Sequence, residues 1–219
     1  ASWWSGDNHT IDLAGGYNGT LYGGTGYGAG KVGQAFSLDG IDDYVFVDGT
    51  LNIDGGAQAT YDAWVYPQSA PSPSYYFSLF GAGDATQSSW TANQCRVLYF
   101  STQGSPANTA KFYMDCALND NETGVNRTTA HDYPINSWHF VTGVFHDGSL
   151  DIYVNGILDN GTTTGPVSGA FINLNAYNYV WMGGMARYDR SVVAAHFNGL
   201  IDEVEIFNRA LSANEIADI

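Results

Sequence analysis

Cationic side chains are scarce in this chain. Seven Lys+Arg stand against 22 Asp+Glu, a formal net charge of -15, and such a surface repels phosphate backbones and anionic headgroups, which argues against nucleic acid as a partner. The surplus of carboxylates instead favours capture of hard cations such as Ca²⁺. Cysteine is almost absent. Cys95 and Cys116 are the only two, too few for a tetrahedral thiolate zinc site. Each lies in or beside a strand-like segment, QCRVLYF and KFYMDCAL, with a Gly/Pro-containing loop between. They can face each other across a hairpin as an extracellular disulfide, or remain two buried free thiols. No run approaches the ~20 apolar residues that span a bilayer, so membrane insertion is not expected. The opening ASWWSGDN lacks the basic and apolar regions of a signal peptide, as a mature or excised domain would.

Charged residues of all kinds amount to 13% against 44% hydrophobic, so the polar surface must come largely from Ser, Thr, Asn and Gly, a composition that suits a β protein rich in turns. At 219 residues the chain fits one domain over its whole length, because all-β sandwiches of this size commonly stay undivided. Period-two alternation predicts strands at QAFSLDG, DYVFV, ATYDAWVYP, YYFSLFG, CRVLYFS, AKFYMDC, SWHFVTGVFH, SLDIYVNG, YVWMGG and LIDEVEIF. Asp147-Gly148 and Asn155-Gly156 supply the positive φ angles of tight hairpin turns. Ser212 followed by Glu215 is a capping box, which predicts one short helix after the last strand. The glycine-rich residues 15–33 lack phosphate-loop spacing and read as a long, close-packed loop. About ten strands with frequent turns predict two antiparallel sheets packed face to face, an all-β jelly roll.

Five segments, in order along the chain, carry a resemblance: DLAGGYNGTLYGG (12–24), GKVGQAFSLDGIDDYVFV (30–47), ATYDAWVYP (59–67), NSWHFVTGVFHDGSLDIYVNG (136–156) and FNGLIDEVEIFNRALSANEI (197–216). Together they resemble the laminin-G-like jelly rolls of the concanavalin A-like lectin/glucanase superfamily. The resemblance implies a two-sheet sandwich appended to extracellular enzymes, adhesins or surface proteins, secreted or on the cell surface, often holding Ca²⁺ and often binding polysaccharide or glycan. The fold alone names no ligand, since it hosts lectins, glycosidases, lyases and spacers.

Three acids fall in the last strand-like segment, and strict alternation puts Asp202 on one face and Glu203 with Glu205 on the other. Retaining glucanases of the superfamily carry an E-x-D-x-E strand, with nucleophile and acid/base roughly 5 Å apart. Position 201 is Ile here, so that pattern is broken and no residue is assigned as catalytic; a glycoside hydrolase or polysaccharide lyase using Glu203 or Glu205 stands as the alternative, and a structural spacer or protein-binding domain as another. Related jelly rolls use an Asp on the last strand with oxygens of the N-terminal loop, and the resemblance implies Asp202, Asn8 and Asp12 as ligands of a structural Ca²⁺. Asp39, Asp42 and Asp43 read as turn formers. The five histidines show no paired ligand spacing, and His139 and His146 are placed at strand edges as ordinary polar residues. Aromatic residues reach 15%, more than one core should need, so some rings are expected to be exposed for stacking on sugars. The candidates are Trp90, Arg96, Tyr99, Tyr113 and Tyr188, whereas Trp64, Trp138 and Trp181 are expected in the core. The reading favours a non-catalytic carbohydrate-binding or adhesion module, part of a larger multidomain protein.

Overall fold

A computed structural model describes residues 1–49, 58–70, 76–83, 98–104, 108–117, 124–146, 149–164, 179–186 and 193–219. From the N-terminus come β1 (Ser2–Trp4), β2 (Gly19–Tyr22), β3 (Gly26–Ala29), β4 (Gln34–Asp39), β5 (Tyr44–Asp48), β6 (Ala59–Pro67) and β7 (Tyr76–Gly83). The middle supplies β8 (Leu98–Gly104), β9 (Thr109–Ala117), β10 (Gly124–Thr128), β11 (Tyr133–Pro134), β12 (His139–His146) and β13 (Ser149–Val154). Then follow β14 (Ile157–Leu158), β15 (Thr163–Thr164), β16 (Tyr179–Met182), β17 (Met185–Ala186), β18 (Val193–Ala194), β19 (Asn198–Phe207) and the helix α1 (Ala213–Asp218).

One sheet has the order β14-β13-β12-β6-β19-β4-β3, with β1 added beside β19; the other runs β15-β10-β9-β8-β7-β16-β5-β2, with β11 beside β9. The strand pairings of both sheets are antiparallel. Alternation builds the core between them. Tyr61, Ala63 and Val65 of β6, Leu150, Ile152 and Val154 of β13, and Ile201, Val204 and Ile206 of β19 meet Val45, Val47, Leu79, Phe112, Met114, Val180 and Met182 of the opposite sheet. This is the predicted all-β jelly roll with one short C-terminal helix, and each of the ten predicted strands is present.

The local signals act as their chemistry requires. Asn155 and Gly156 take φ of 53° and 77° between the paired residues Val154 and Ile157, the two-residue turn that fits the twist of a hairpin. β12 and β13 pair through His146 and Ser149, as a two-residue connection at 147–148 demands, although those two residues lie outside the described ones. The glycine-rich stretch is the exception to the reading. It carries β2 and β3 rather than one loop, since glycine hides the period-two pattern that sequence alternation relies on. At Gly19 a Cβ would come within 2.8 Å of Val45 Cγ1 on the paired strand, so the residue that weakens the strand signal also permits the pairing.

Three side chains sit differently from expectation. Trp64 and Trp138 are only half-buried, because they lie on the outer face of the first sheet, against Phe140 and Tyr66 respectively. His139 is buried rather than at a polar edge, packed against Phe112 and Tyr133, with Nε2 donating to the Pro134 carbonyl at 2.8 Å. Burial pushes its pKa down and keeps the ring neutral.

The helix covers part of that same outer face: Leu211 and Ile216 pack on Val144, with Tyr153 and Phe207 at the margin. Its capping box is formed, Ser212 Oγ accepting from the Glu215 amide and the Glu215 carboxylate accepting from the Ser212 amide at 2.8 Å. Ser212→Ala should destabilise the protein by about 1 kcal/mol in urea unfolding, with Ile216 still buried; an unchanged midpoint would show that packing alone holds the helix.

Candidate functional site

The last strand organises the acids. β19 pairs with β6 in register from Gly199 to Asp202, slips, and resumes at Glu205 opposite Asp62. Glu203 takes φ of 51° inside this bulge, a left-handed conformation that non-glycine residues seldom adopt. The extra residue breaks strict alternation. Asp202 pairs with Trp64 and Glu205 with Asp62, and since residues 62 and 64 share a face of β6, Asp202 and Glu205 share one too. The expected separation of Asp202 from Glu205 is therefore overturned. Ile201, Val204 and Ile206 keep the core face, and the acids are gathered on the outside of the first sheet.

That outside layer is covered. Glu203 accepts from Trp3 Nε1, and Trp3 itself pairs with Glu205. Asp202 is fully buried; its Oδ2 accepts from the Lys31 and Val32 amides at 2.8 and 3.0 Å, while Oδ1 has no hydrogen-bond partner. Burial, helped by the charge of Glu203, outweighs those two amides and the backbone amide of Glu203 and pushes the Asp202 carboxyl up to about 6. Burial likewise raises Glu203 and Glu205. The clefts described among these residues are lined by neither glutamate.

Asp12 shows the opposite balance. Its Oδ1 accepts from the amides of Trp3, Ala14 and Gly15 at 2.8, 3.0 and 2.8 Å, and Oδ2 from Tyr17 at 3.1 Å. Burial pushes this carboxyl up, but the four amides together hold it below the usual carboxylate range. Asp12 thus serves as a cap that ties the N-terminal loop to β1. Asn8 is exposed in a turn of its own with φ of 57°. Of the three residues expected around a Ca²⁺, Asp202 is the one with an unengaged carboxylate oxygen.

At one rim, where β3, β4 and β19 end, a cleft of about 500 Å³ is lined by Tyr27, Ser37, Asp39, Asp43, Gln68 and Asn198 among others. Asp43 builds the rim, accepting from the Gly24 and Asp39 amides, and Asp39 accepts from the Ile41 amide at 2.8 Å. These are the turn roles expected of this acid group. The oxygens of Asp39, Asp42 and Asp43 also lie within 4.8 Å of one another. The side chains of Ser37, Gln68 and Asn198 make no hydrogen bond to the described residues and point chemistry at the cleft. Sequence reasoning missed them, because they come from three separated strand ends and carry no local motif.

Of the expected ligand contacts, Trp90, Arg96 and Tyr188 lie outside the described residues, as does Cys95. Tyr99 and Tyr113 belong to the adjacent strands β8 and β9, where Tyr99 pairs with Asp115 and Ser101 with Tyr113. The Tyr113 hydroxyl donates to Asp115 Oδ2 at 3.2 Å, which orients a half-buried ring. Farther along this sheet, Tyr44, Phe46, Tyr179, Trp181 and Met185 form a second apolar cluster on the face turned away from the main core. Trp181 is fully buried there, donating from Nε1 to Ser78 Oγ at 3.0 Å.

The Asp12 cap has a measurable consequence. A carboxyl held low by its amides stabilises the fold fully above its ordinary value of 3.8, and that contribution is lost as the pH falls through the native value. Asp12→Ala strands four amides and should cost roughly 2–3 kcal/mol at pH 7. In denaturant titrations it should also lose less stability than wild type between pH 7 and pH 3; parallel acid limbs would refute the cap.

Solved structures share this sandwich. Domain 4 of AbnA, an extracellular GH43 arabinanase from Geobacillus stearothermophilus solved in complex with arabinotriose, aligns with a TM-score of 0.64 and 21% identity over 99% of this chain and 96% of that one. The heptameric SAP-like pentraxin of Limulus polyphemus gives 0.54 and 13% over 74% and 70%. The binding domain of botulinum neurotoxin serotype G gives 0.66 and 14% over 99% of this chain, which spans about half, 49%, of that domain. At such identities these likenesses establish the fold. Among curated protein sequences none matches the chain. The laminin-G-type model described as the concanavalin A-like lectin/glucanases superfamily matches residues 39–217, and the chain belongs to that family.

Proposed function

We propose that this chain is a non-catalytic carbohydrate-binding module, secreted or displayed at a cell surface, and one domain of a larger protein. The observation that carries the reading is the rim cleft, whose lining combines the parts that saccharide recognition needs. The amides of Gln68 and Asn198 both donate and accept, Ser37 and Asp39 add a hydroxyl and a carboxylate, and Tyr27, its ring packed on Phe36, lies among the lining residues. Tyr113, oriented by Asp115, offers a platform on the other sheet. The ligand is a neutral glycan: a chain of net charge -15 with Asp39 and Asp43 in the cleft repels uronates and sulfated sugars. The arabinanase domain solved with arabinotriose supports both the ligand class and the multidomain setting. Among the described residues no helix is long and apolar enough to cross a membrane.

A structural Ca²⁺ at Asp202 belongs to the same reading, supported by the buried and unpartnered Oδ1. Removal of the ion with EDTA should lower the melting temperature and restored Ca²⁺ should recover it.

Affinity electrophoresis and calorimetry with arabinotriose and a panel of neutral oligosaccharides test the glycan reading. Wild type should bind at least one of them, and Asn198→Ala and Gln68→Ala should each weaken that binding by roughly 1–2 kcal/mol, about 5- to 30-fold, through lost hydrogen bonds. Absence of binding to every neutral glycan defeats the proposal, and binding that survives both substitutions moves the site off the cleft.

A further inference from the structure

Asp62 stands in the middle of an apolar strand, and its surroundings do not answer its charge. It is fully buried, and neither carboxylate oxygen has a hydrogen-bond partner. Its cross-strand neighbour on β12, Thr142, is also fully buried, and Thr142 Oγ1 is likewise without a partner. Its neighbour on β19 is Glu205, a second acid, and directly opposed residues place their Cβ atoms roughly 5 Å apart. Asp202 lies one pair farther along, opposite Trp64, and Glu203 sits in the bulge between. The cation described nearby, Lys31, is spent on an aromatic ring, its Nζ 4.4 Å from the centroid of Trp64.

An unpaired carboxylate in such a place is costly, and a second acid beside it increases the cost. Burial first and then the charge of Glu205 push Asp62 well above the ordinary range. Protonation would remove the charge but not the deficit. A neutral carboxyl still needs an acceptor for its proton and a donor for its carbonyl, and Asp62 has neither; Thr142 Oγ1 would remain unanswered as well. A cation between β6, β12 and β19 would satisfy all three oxygens at once and also answer the charge of both acids.

We propose that Asp62 and Glu205, with Thr142 Oγ1 as a further oxygen, hold a hard divalent cation of the Ca²⁺ class in the outer layer of the first sheet. The donors are carboxylate and hydroxyl oxygens with no thiolate or imidazole, which selects against zinc and copper. The bulge in β19 is what makes the site, since it turns Glu205 onto the face of Asp62 while Val204 and Ile206 stay in the core. The site shares neither Asn8 nor Asp12 with the N-terminal loop, and it is independent of the glycan reading.

Calorimetry of Ca²⁺ into EDTA-treated protein, with Tb³⁺ luminescence excited through tryptophan, tests it; Trp3 and Trp64 pair with or flank the acids and should sensitise a lanthanide bound there. Wild type should take up two ions, one at Asp202 and one here; Asp62→Asn should weaken the second more than ~10-fold, and Thr142→Val should weaken it measurably. Asp62→Asn preserves shape and lowers repulsion, so circular dichroism should find it folded. Asp202→Asn and Asp42→Asn separate this site from its neighbours. Uptake lost in Asp202→Asn but intact in Asp62→Asn would overturn this proposal and leave the Asp202 site standing. Uptake lost in Asp42→Asn alone would move the ion to the rim, and no uptake by wild type would overturn both sites.

Discussion

The register slip in β19 is the constraint on which the outer layer depends. An unbroken strand would have alternated Asp202, Val204 and Ile206 on one side and Ile201, Glu203 and Glu205 on the other, so either Asp202 or the two glutamates would have entered the core. The bulge avoids that conflict by inserting one residue at a left-handed φ, which lets Ile201, Val204 and Ile206 all reach the core while every acid of the segment is expelled. The strain at Glu203 is the local cost, of order 1–3 kcal/mol for such backbone. The hydrogen bond from Trp3 Nε1 and the pairing of β1 with β19 hold that conformation in place.

Once expelled, the acids are still covered, by Trp3, by the loop at Lys31 and Val32, and by Trp64, and their chemistry is then decided in part by how many donors each one meets. Asp12 and Asp202 make the comparison. Asp12 meets four amides and is held low; Asp202 meets two from the Lys31–Val32 loop and is pushed up to about 6. Asp62 meets none and is pushed well above the ordinary range. All three are shielded from solvent, but Asp62 lies deepest and beside a second acid while Asp12 meets the most amides, so depth, neighbouring charge and hydrogen bonds to the ionised form together separate a stabilising cap from a group that needs a counter-ion.

The amino-acid sequence made the architecture legible because its strands obey period two and its turns and cap use residues with unambiguous backbone preferences, such as Asn155-Gly156 and Ser212 with Glu215. It misled where a single backbone event changes parity. No local signal in LIDEVEIF announces the bulge, so the facing of Asp202 was misread. β2 and β3 were hidden because Gly19 and Gly28 contribute no alternation. For the site, Asp202 and Asp12 were singled out, yet their roles differ for reasons that lie in loops far away in sequence: Trp3 and Gly15 for one, Lys31 and Val32 for the other. Asp62 had a readable signal, a lone acid at the centre of ATYDAWVYP, where an apolar alternation leaves no evident partner. Ser37, Gln68 and Asn198 had none, since only the pairing of β4 with β19 and the turn after β6 bring them to one rim.

The two chemistries occupy different parts of the sandwich, and this division follows from charge. The rim cleft is open, and its acids are half committed to backbone amides of the turns they form, so what they present to a ligand is mainly hydrogen-bonding capacity. The layer over the first sheet is closed, and its acids are short of donors, so what it presents is uncompensated negative charge in a low-dielectric place. An open, well-bonded surface discriminates among neutral polar ligands, because each hydroxyl exchanged for water must find a placed partner. A closed, under-bonded one discriminates by charge and size, because only a small cation can both enter and repay the desolvation of the carboxylates. Glycan recognition and cation binding therefore need not share residues in this fold, and a change in one is expected to reach the other through β6 and β19, which border both.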